Sequence, residues 1–227
     1  MPTQIAAGIP RIAVAGNPNA GKTCIFNGLT GLNQTVGNYP GVTVEMKAGR
    51  ANYGGQQIEF VDLPGTYSLA AFSQDELVAR NYIIEERPDV VLNVVDASNL
   101  ERNLYLTTQL MEMRTPLVLA LNMTDIAARR GIKIDPARLG KLLGVKVVPT
   151  VGNTGAGLDQ IMEACLELAG RQKPLTAPVT YGHMVENEVA RLSLLVGADP
   201  KLAGVFDPRW AAVKLIERDE TVLARIR

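Results

Sequence analysis

Residues Gly16-Asn17-Pro18-Asn19-Ala20-Gly21-Lys22-Thr23 satisfy the pattern G-x-x-x-x-G-K-[ST] at every constrained position. The apolar run Ile12-Ala13-Val14-Ala15 precedes them and Cys24-Ile25-Phe26-Asn27-Gly28-Leu29 follows, which is the strand-to-helix context this loop requires. Inward-facing amides of such a loop, together with the helix N-terminus behind it, make a concave anion site. A chain built around it is therefore expected to be an α/β fold, with a strand feeding a helix at a phosphate. Lys22 adds a fixed positive charge for the outer phosphates, and the Thr23 hydroxyl suits magnesium. The stretch Gly16 to Cys24 as a whole is expected to line the nucleotide.

Composition limits what else the chain can be. With 227 residues, 47% apolar and 20% charged, it is long enough for one α/β unit plus an appendage, and too apolar to be disordered. Lys and Arg total 23, as do Asp and Glu, which argues against a general nucleic-acid-binding surface. Cys24, Cys165 and His183 have no metal-ligand spacing, and both cysteines fall in apolar helical patterns. They are expected to be buried core thiols in a reducing compartment. No signal peptide opens the chain and no apolar run approaches the ~20 residues of a membrane span, so a soluble chain is expected.

Short apolar runs alternate with helix-period segments, the pattern of a mostly parallel sheet covered by helices. Strands are expected near 11–15, 44–53, 57–62, 90–96, 117–122 and 145–149, and helices near 22–29, 75–86, 99–113, 136–143 and 158–169. Tyr53-Gly54-Gly55-Gln56 reads as a tight hairpin turn that makes one edge antiparallel. The nucleotide domain is expected to span 1–170. Beyond it, Lys173-Pro174-Leu175-Thr176-Ala177-Pro178 reads as a linker, and 171–227 as a helical domain truncated at its C-terminus. Val185, Val189, Leu192 and Val196 recur on one helical face, and Trp210, Val213 and Ile216 suggest another. Asp199-Pro200 and Asp207-Pro208 each pair an N-cap acid with a first-turn proline. So few helical residues make little core alone, and the piece is expected to pack on the nucleotide domain or to begin something longer.

Three further segments carry chemistry. Asp62-Leu63-Pro64-Gly65 ends a strand and fits D-x-x-G, with Asp62 suited to the magnesium shell and the Gly65 amide to a γ-phosphate. Asn122-Met123-Thr124-Asp125 fits N-x-x-D, in which a carboxylate accepts from two guanine donors that adenine lacks, so GTP is favoured over ATP. Met123 stands where many GTPases carry Lys, and its thioether is expected on the purine face. The alternative for Asn122 and Asp125 is a helix cap. Gly41, Val42 and Thr43 lie in the Gly-rich stretch where a GTPase keeps the loop whose threonine joins magnesium and γ-phosphate.

Two departures stand out. Thr66 occupies the place of the glutamine that orients the attacking water in many small GTPases, and it is too short for that reach, so slow hydrolysis is expected. Val151-Gly152-Asn153-Thr154-Gly155 lacks the usual Ser-Ala pair of the last base loop, leaving the Gly152 amide for guanine O6.

On these residues the chain resembles the cytoplasmic N-terminal G domain of FeoB, the bacterial ferrous iron transporter family, over nearly its whole length. The segments that carry the resemblance are Gly16-Asn17-Pro18-Asn19, Val36 to Glu45, Asp62 to Leu69, and Asn122-Met123-Thr124-Asp125. It implies a GTPase that switches between GTP and GDP on the cytoplasmic side of the inner membrane. It also implies a helical domain that couples the switch to the transporter's own transmembrane domain, absent from this sequence. A homo-oligomer is left open and no nucleic acid is expected. The resemblance further implies potassium stimulation through Asn19, with a backbone loop ahead of Thr43 completing the ion site. Asn19, Thr43 and Gly65 are the expected catalytic positions, and Thr23, Thr43 and Asp62 the magnesium set. The rival readings are a ribosome- or RNA-associated GTPase and a nucleotide-binding adaptor with negligible turnover.

Overall fold

The computed structural model describes residues 8–31, 34–38, 44–170 and 179–226. Gly41, Val42, Thr43 and the 173–178 linker lie outside the described residues. A seven-stranded sheet runs in the order β2-β3-β4-β1-β5-β6-β7. Its strands are β1 (Arg11–Gly16), β2 (Gln34–Asn38), β3 (Glu45–Tyr53), β4 (Gln56–Asp62), β5 (Val90–Asp96), β6 (Leu117–Asn122) and β7 (Lys146–Pro149). Pairing is parallel from β4 through β1, β5 and β6 to β7, and antiparallel between β2, β3 and β4. The central strands are buried on both faces, which is why they read as continuous apolar runs.

The β3–β4 hairpin closes with Tyr53 opposite Gln56. Gly54 and Gly55 both have positive φ, 58° and 83°, as a two-residue type I′ turn demands. Helices α1 (Lys22–Thr30), α2 (Gln74–Glu86), α3 (Leu100–Glu112), α4 (Thr124–Arg129), α5 (Pro136–Leu143) and α6 (Leu158–Ala169) complete this α/β part. Two apolar clusters fill it. One contains Phe26, Phe60 and Ile161, the other Leu69, Leu106 and Leu119.

The C-terminal stretch is helical, with α7 (His183–Ala198), α8 (Pro200–Ala203), α9 (Pro208–Ile216) and α10 (Glu220–Ile226). Asp199 and Asp207 cap α8 and α9 as the sequence predicts, and a proline opens each. Val196, Phe206, Trp210, Ala211 and Val222 join the second apolar cluster, so these helices share a core with the α/β part. Val189, Ala212 and Val213 form a small core of their own.

Three expectations need correction. Val185 and Ile216 are exposed and do not line their apolar stripes. Cys24 is only half-buried and donates from Sγ to Asn153 Oδ1 at 3.3 Å, so of the two thiols Cys165 alone is core. Strand β2 and helix α4 form where no element is expected. Val36 is the one large apolar residue of β2 and is exposed, so pairing with β3 holds that strand.

Candidate nucleotide site

Strand β1 delivers the phosphate loop to the C-terminal edge of the parallel strands, between β4 and β5. In open α/β sheets that edge is where ligands sit. The loop turns through two left-handed residues, Asn19 at φ 67° and Gly21 at φ 85°. Asparagine tolerates this region better than most side chains, which gives Asn19 a backbone role of its own. Gly21 admits nothing larger, because a Cβ there would collide with the Asn122 side-chain amide. Its carbonyl accepts from Ile25 at 3.1 Å, the first bond of α1.

Asn122 ties the site together from the end of β6. Its Nδ2 donates to the Ala20 carbonyl at 2.9 Å, and its Oδ1 accepts from the Gly152 amide at 2.9 Å and from Thr150 Oγ1 at 3.4 Å. One buried side chain thus fixes the phosphate loop, the N-x-x-D segment and the last loop against one another. The helix-cap alternative fails, because Met123, with φ 60°, is the N-cap of α4 and offers no side-chain cap bond. The Met123 methyl lies 3.4 Å from where a Gly21 Cβ would stand. The Gly152 amide, expected to be open to guanine O6, is held by Asn122 instead.

Lys22 and Asp62 form a direct ion pair, each side chain about one-tenth exposed. Burial pushes the Asp62 carboxyl above its ordinary range, and the Lys22 ammonium pulls the other way. Thr23 is exposed beside them at the start of α1. Gly65 approaches the phosphate loop closely, a Cβ on it falling 3.6 Å from Pro18. Thr66 is buried and its amide donates to the Gly16 carbonyl at 3.2 Å. Asn17 is buried, donates from Nδ2 to the Arg102 carbonyl at 3.5 Å, and accepts through its own carbonyl from Ala20 at 3.1 Å. Val151 bridges to Ala156, which pins the last loop.

The structure adds residues that sequence reasoning missed. Arg129 pairs with Asp125 at 2.7 Å, one turn along α4, so the carboxylate expected to meet guanine already has a partner. Arg102 stacks its guanidinium over the Tyr67 ring at 4.1 Å. Arg80 is almost fully buried, donates to the Leu69 carbonyl at 3.4 Å and pairs with Asp219 at 2.7 Å and with Thr221. The i,i+4 spacing of Asp125 and Arg129 was a usable signal. A buried arginine in a helix has none.

The family described as ferrous iron transport protein B matches residues 10–165, and the FeoB cytosolic helical domain matches residues 181–227. The chain belongs to the FeoB family. The Fe(2+) transport protein A/Fe(2+) transporter FeoB fusion protein of Porphyromonas gingivalis is 46% identical over 92% of this chain and 25% of its own length. The Fe(2+) transporter FeoB of Escherichia coli is 42% identical over 92% of the chain and 27% of that protein. The chain thus spans about a quarter of these FeoB relatives. Among solved structures, the cytosolic domain of T. maritima FeoB is 40% identical. Its GDP form I superposes with a TM-score of 0.89 over 96% of this chain and 84% of that one, and its GMPPNP form with 0.89 over 95% and 84%. No described helix is long and apolar enough to cross a membrane.

Proposed function

We propose that this chain binds guanine nucleotide, hydrolyses GTP slowly, and switches between GTP and GDP states as the cytoplasmic regulator of a bacterial ferrous iron transport protein. The observation that carries the reading is Asn122, which joins the phosphate loop to both segments expected to hold the base. Lys22 and the loop amides of Gly16 to Cys24 would hold the phosphates. Asp125, once released from Arg129, would take the guanine donors, with Met123 on the purine face and Val151 and Gly152 closing the far side. Gly65 and Thr43 would follow the γ-phosphate.

Thr23 and Asp62 offer a hydroxyl and a carboxylate, a hard-oxygen pair that fits magnesium once phosphate oxygens complete the shell. Magnesium supplies charge neutralisation of the phosphates there, and potassium beside Asn19 would balance charge in the transition state. Asn19 is exposed and its amide oxygen suits such an ion. Thr66, which stands in the place of the missing glutamine, is buried and too short to orient a water, which supports slow intrinsic turnover. The helices from α7 onward share a core with the α/β part, which supports coupling to the transporter's transmembrane domain at the inner membrane.

Titration calorimetry with GDP and ADP, followed by phosphate release in potassium and sodium salts, tests the reading. GDP is expected to bind and ADP not to, with faster release in potassium. Asn19→Gly suits the left-handed backbone and removes only the amide, so it should abolish the potassium advantage and spare GDP affinity. Equal binding of GDP and ADP would overturn the base assignment, and a potassium response surviving Asn19→Gly would overturn the ion site.

A further inference from the structure

We propose that Arg102 clamps the loop after Asp62-Leu63-Pro64-Gly65 through Tyr67, and thereby sets the preference between a nucleoside diphosphate and a triphosphate. The inference rests on the nucleotide reading above. The contacts that carry it close a ring. The Thr66 amide donates to the Gly16 carbonyl at 3.2 Å, and Tyr67, next in the chain, lies under the Arg102 guanidinium at 4.1 Å. The Arg102 carbonyl in turn accepts from Asn17, the neighbour of Gly16, at 3.5 Å. The end of β1, the D-x-x-G loop and the first turn of α3 are therefore fastened to one another. Asn17 and Thr66 are buried anchors, whereas Tyr67 is 40% exposed, which makes its stack the weakest link.

The loop that this ring fastens is one that ligand binding pulls on. Lys22 and Asp62 now pair with each other, and a bound phosphate draws Lys22 while a hydrated cation draws Asp62. Only a γ-phosphate gives the Gly65 amide a new acceptor, two residues from the clamped ring. A triphosphate must therefore work against the Arg102–Tyr67 stack, and a diphosphate does not. A ligand shifts such an equilibrium only through what it binds differently in the two states, so the clamp lowers triphosphate affinity selectively. An exposed cation–π contact of about 0.5–1 kcal/mol corresponds to about two- to fivefold in that ratio.

The test is titration calorimetry of the chain, with magnesium, against GDP and a non-hydrolysable GTP analogue. Tyr67→Leu removes the ring and keeps all charges. It should raise the affinity for the analogue relative to GDP by about two- to fivefold, with GDP affinity unchanged. Tyr67→Phe keeps the ring and should match the parent. A ratio that stays constant or falls in Tyr67→Leu, an equal shift for both nucleotides, or a Tyr67→Phe that behaves like Tyr67→Leu would each overturn the clamp. Where the parent binds GDP, these outcomes leave the nucleotide reading standing. A parent that binds neither nucleotide overturns both.

Discussion

Asn122 reaches back to the phosphate loop, its side-chain amide donating to the Ala20 carbonyl at 2.9 Å. The same side chain accepts from Gly152, so Asn122→Ala strips partners from two backbone groups at once. A buried group left unpaired costs about 1–3 kcal/mol. Asn122→Ala should therefore lower the unfolding free energy measured in urea by that order and weaken GDP binding more than Thr150→Val, which loses only a 3.4 Å contact. Equal GDP affinities for the two variants would remove Asn122 from the centre of the site.

Arg80 and Asp219 make a buried pair between α2 and the turn before α10. Burial alone would raise the Asp219 carboxyl, yet hydrogen bonds from Thr221, Val222 and Arg80 hold it below the ordinary range. Asp219→Ala leaves the guanidinium without its charge partner and uncaps α10, an expected loss of about 3 kcal/mol or more in chemical denaturation. The double variant Arg80→Met/Asp219→Leu should recover most of it, because two apolar residues carry no orphaned charge.

The Glu186 carboxyl is drawn down to about 2 by hydrogen bonds from Arg209 and from the Tyr181 amide. A depressed carboxyl contributes stability that is fully present above its ordinary value of 4.5 and lost as pH falls through about 2. Denaturation midpoints measured from pH 5 to pH 2 should drop more steeply in the parent than in Glu186→Gln, which has no charge to lose. Parallel slopes would show that the Arg209 pair contributes nothing to folding.

The two thiols should separate chemically. Burial pushes Cys165 up to about 12, and no solvent reaches it. Cys24 is half-buried against Asn153. Alkylation under native conditions, mapped by peptide mass spectrometry, should mark Cys24 alone, and GDP should slow it. Labelling of Cys165 at a similar rate would mean that the sheet opens far more often than its packing indicates.

Much of the site was legible in advance because its residues are bound to backbone geometry. Gly21 is required by a left-handed turn, Asp62 ends a strand that alternation beside the hairpin turn announces, and Asn122 ends one announced by its apolar run. Segments held by partners distant in sequence were not legible. Gln34–Asn38 has no alternation worth reading and is a strand only because β3 pairs with it. Arg80 sits in a helix where an arginine ordinarily faces water, and its burial depends on Asp219, 139 residues on. The bond of the Gly152 amide escapes the sequence for the same reason, since its acceptor ends β6, far back in the chain.

The central position of β1 bears on how the protein is made. Ile12 pairs with Phe60 on one side and Val90 on the other, so the strand that carries the phosphate loop acquires its second neighbour only once Val90 has left the ribosome. Pairings of such long sequence separation form slowly, since chain entropy is lost before the contacts compensate for it. On the proposed reading nucleotide would help the early chain little, because Asn122 and Gly152, which complete the site around the phosphate loop, emerge later still.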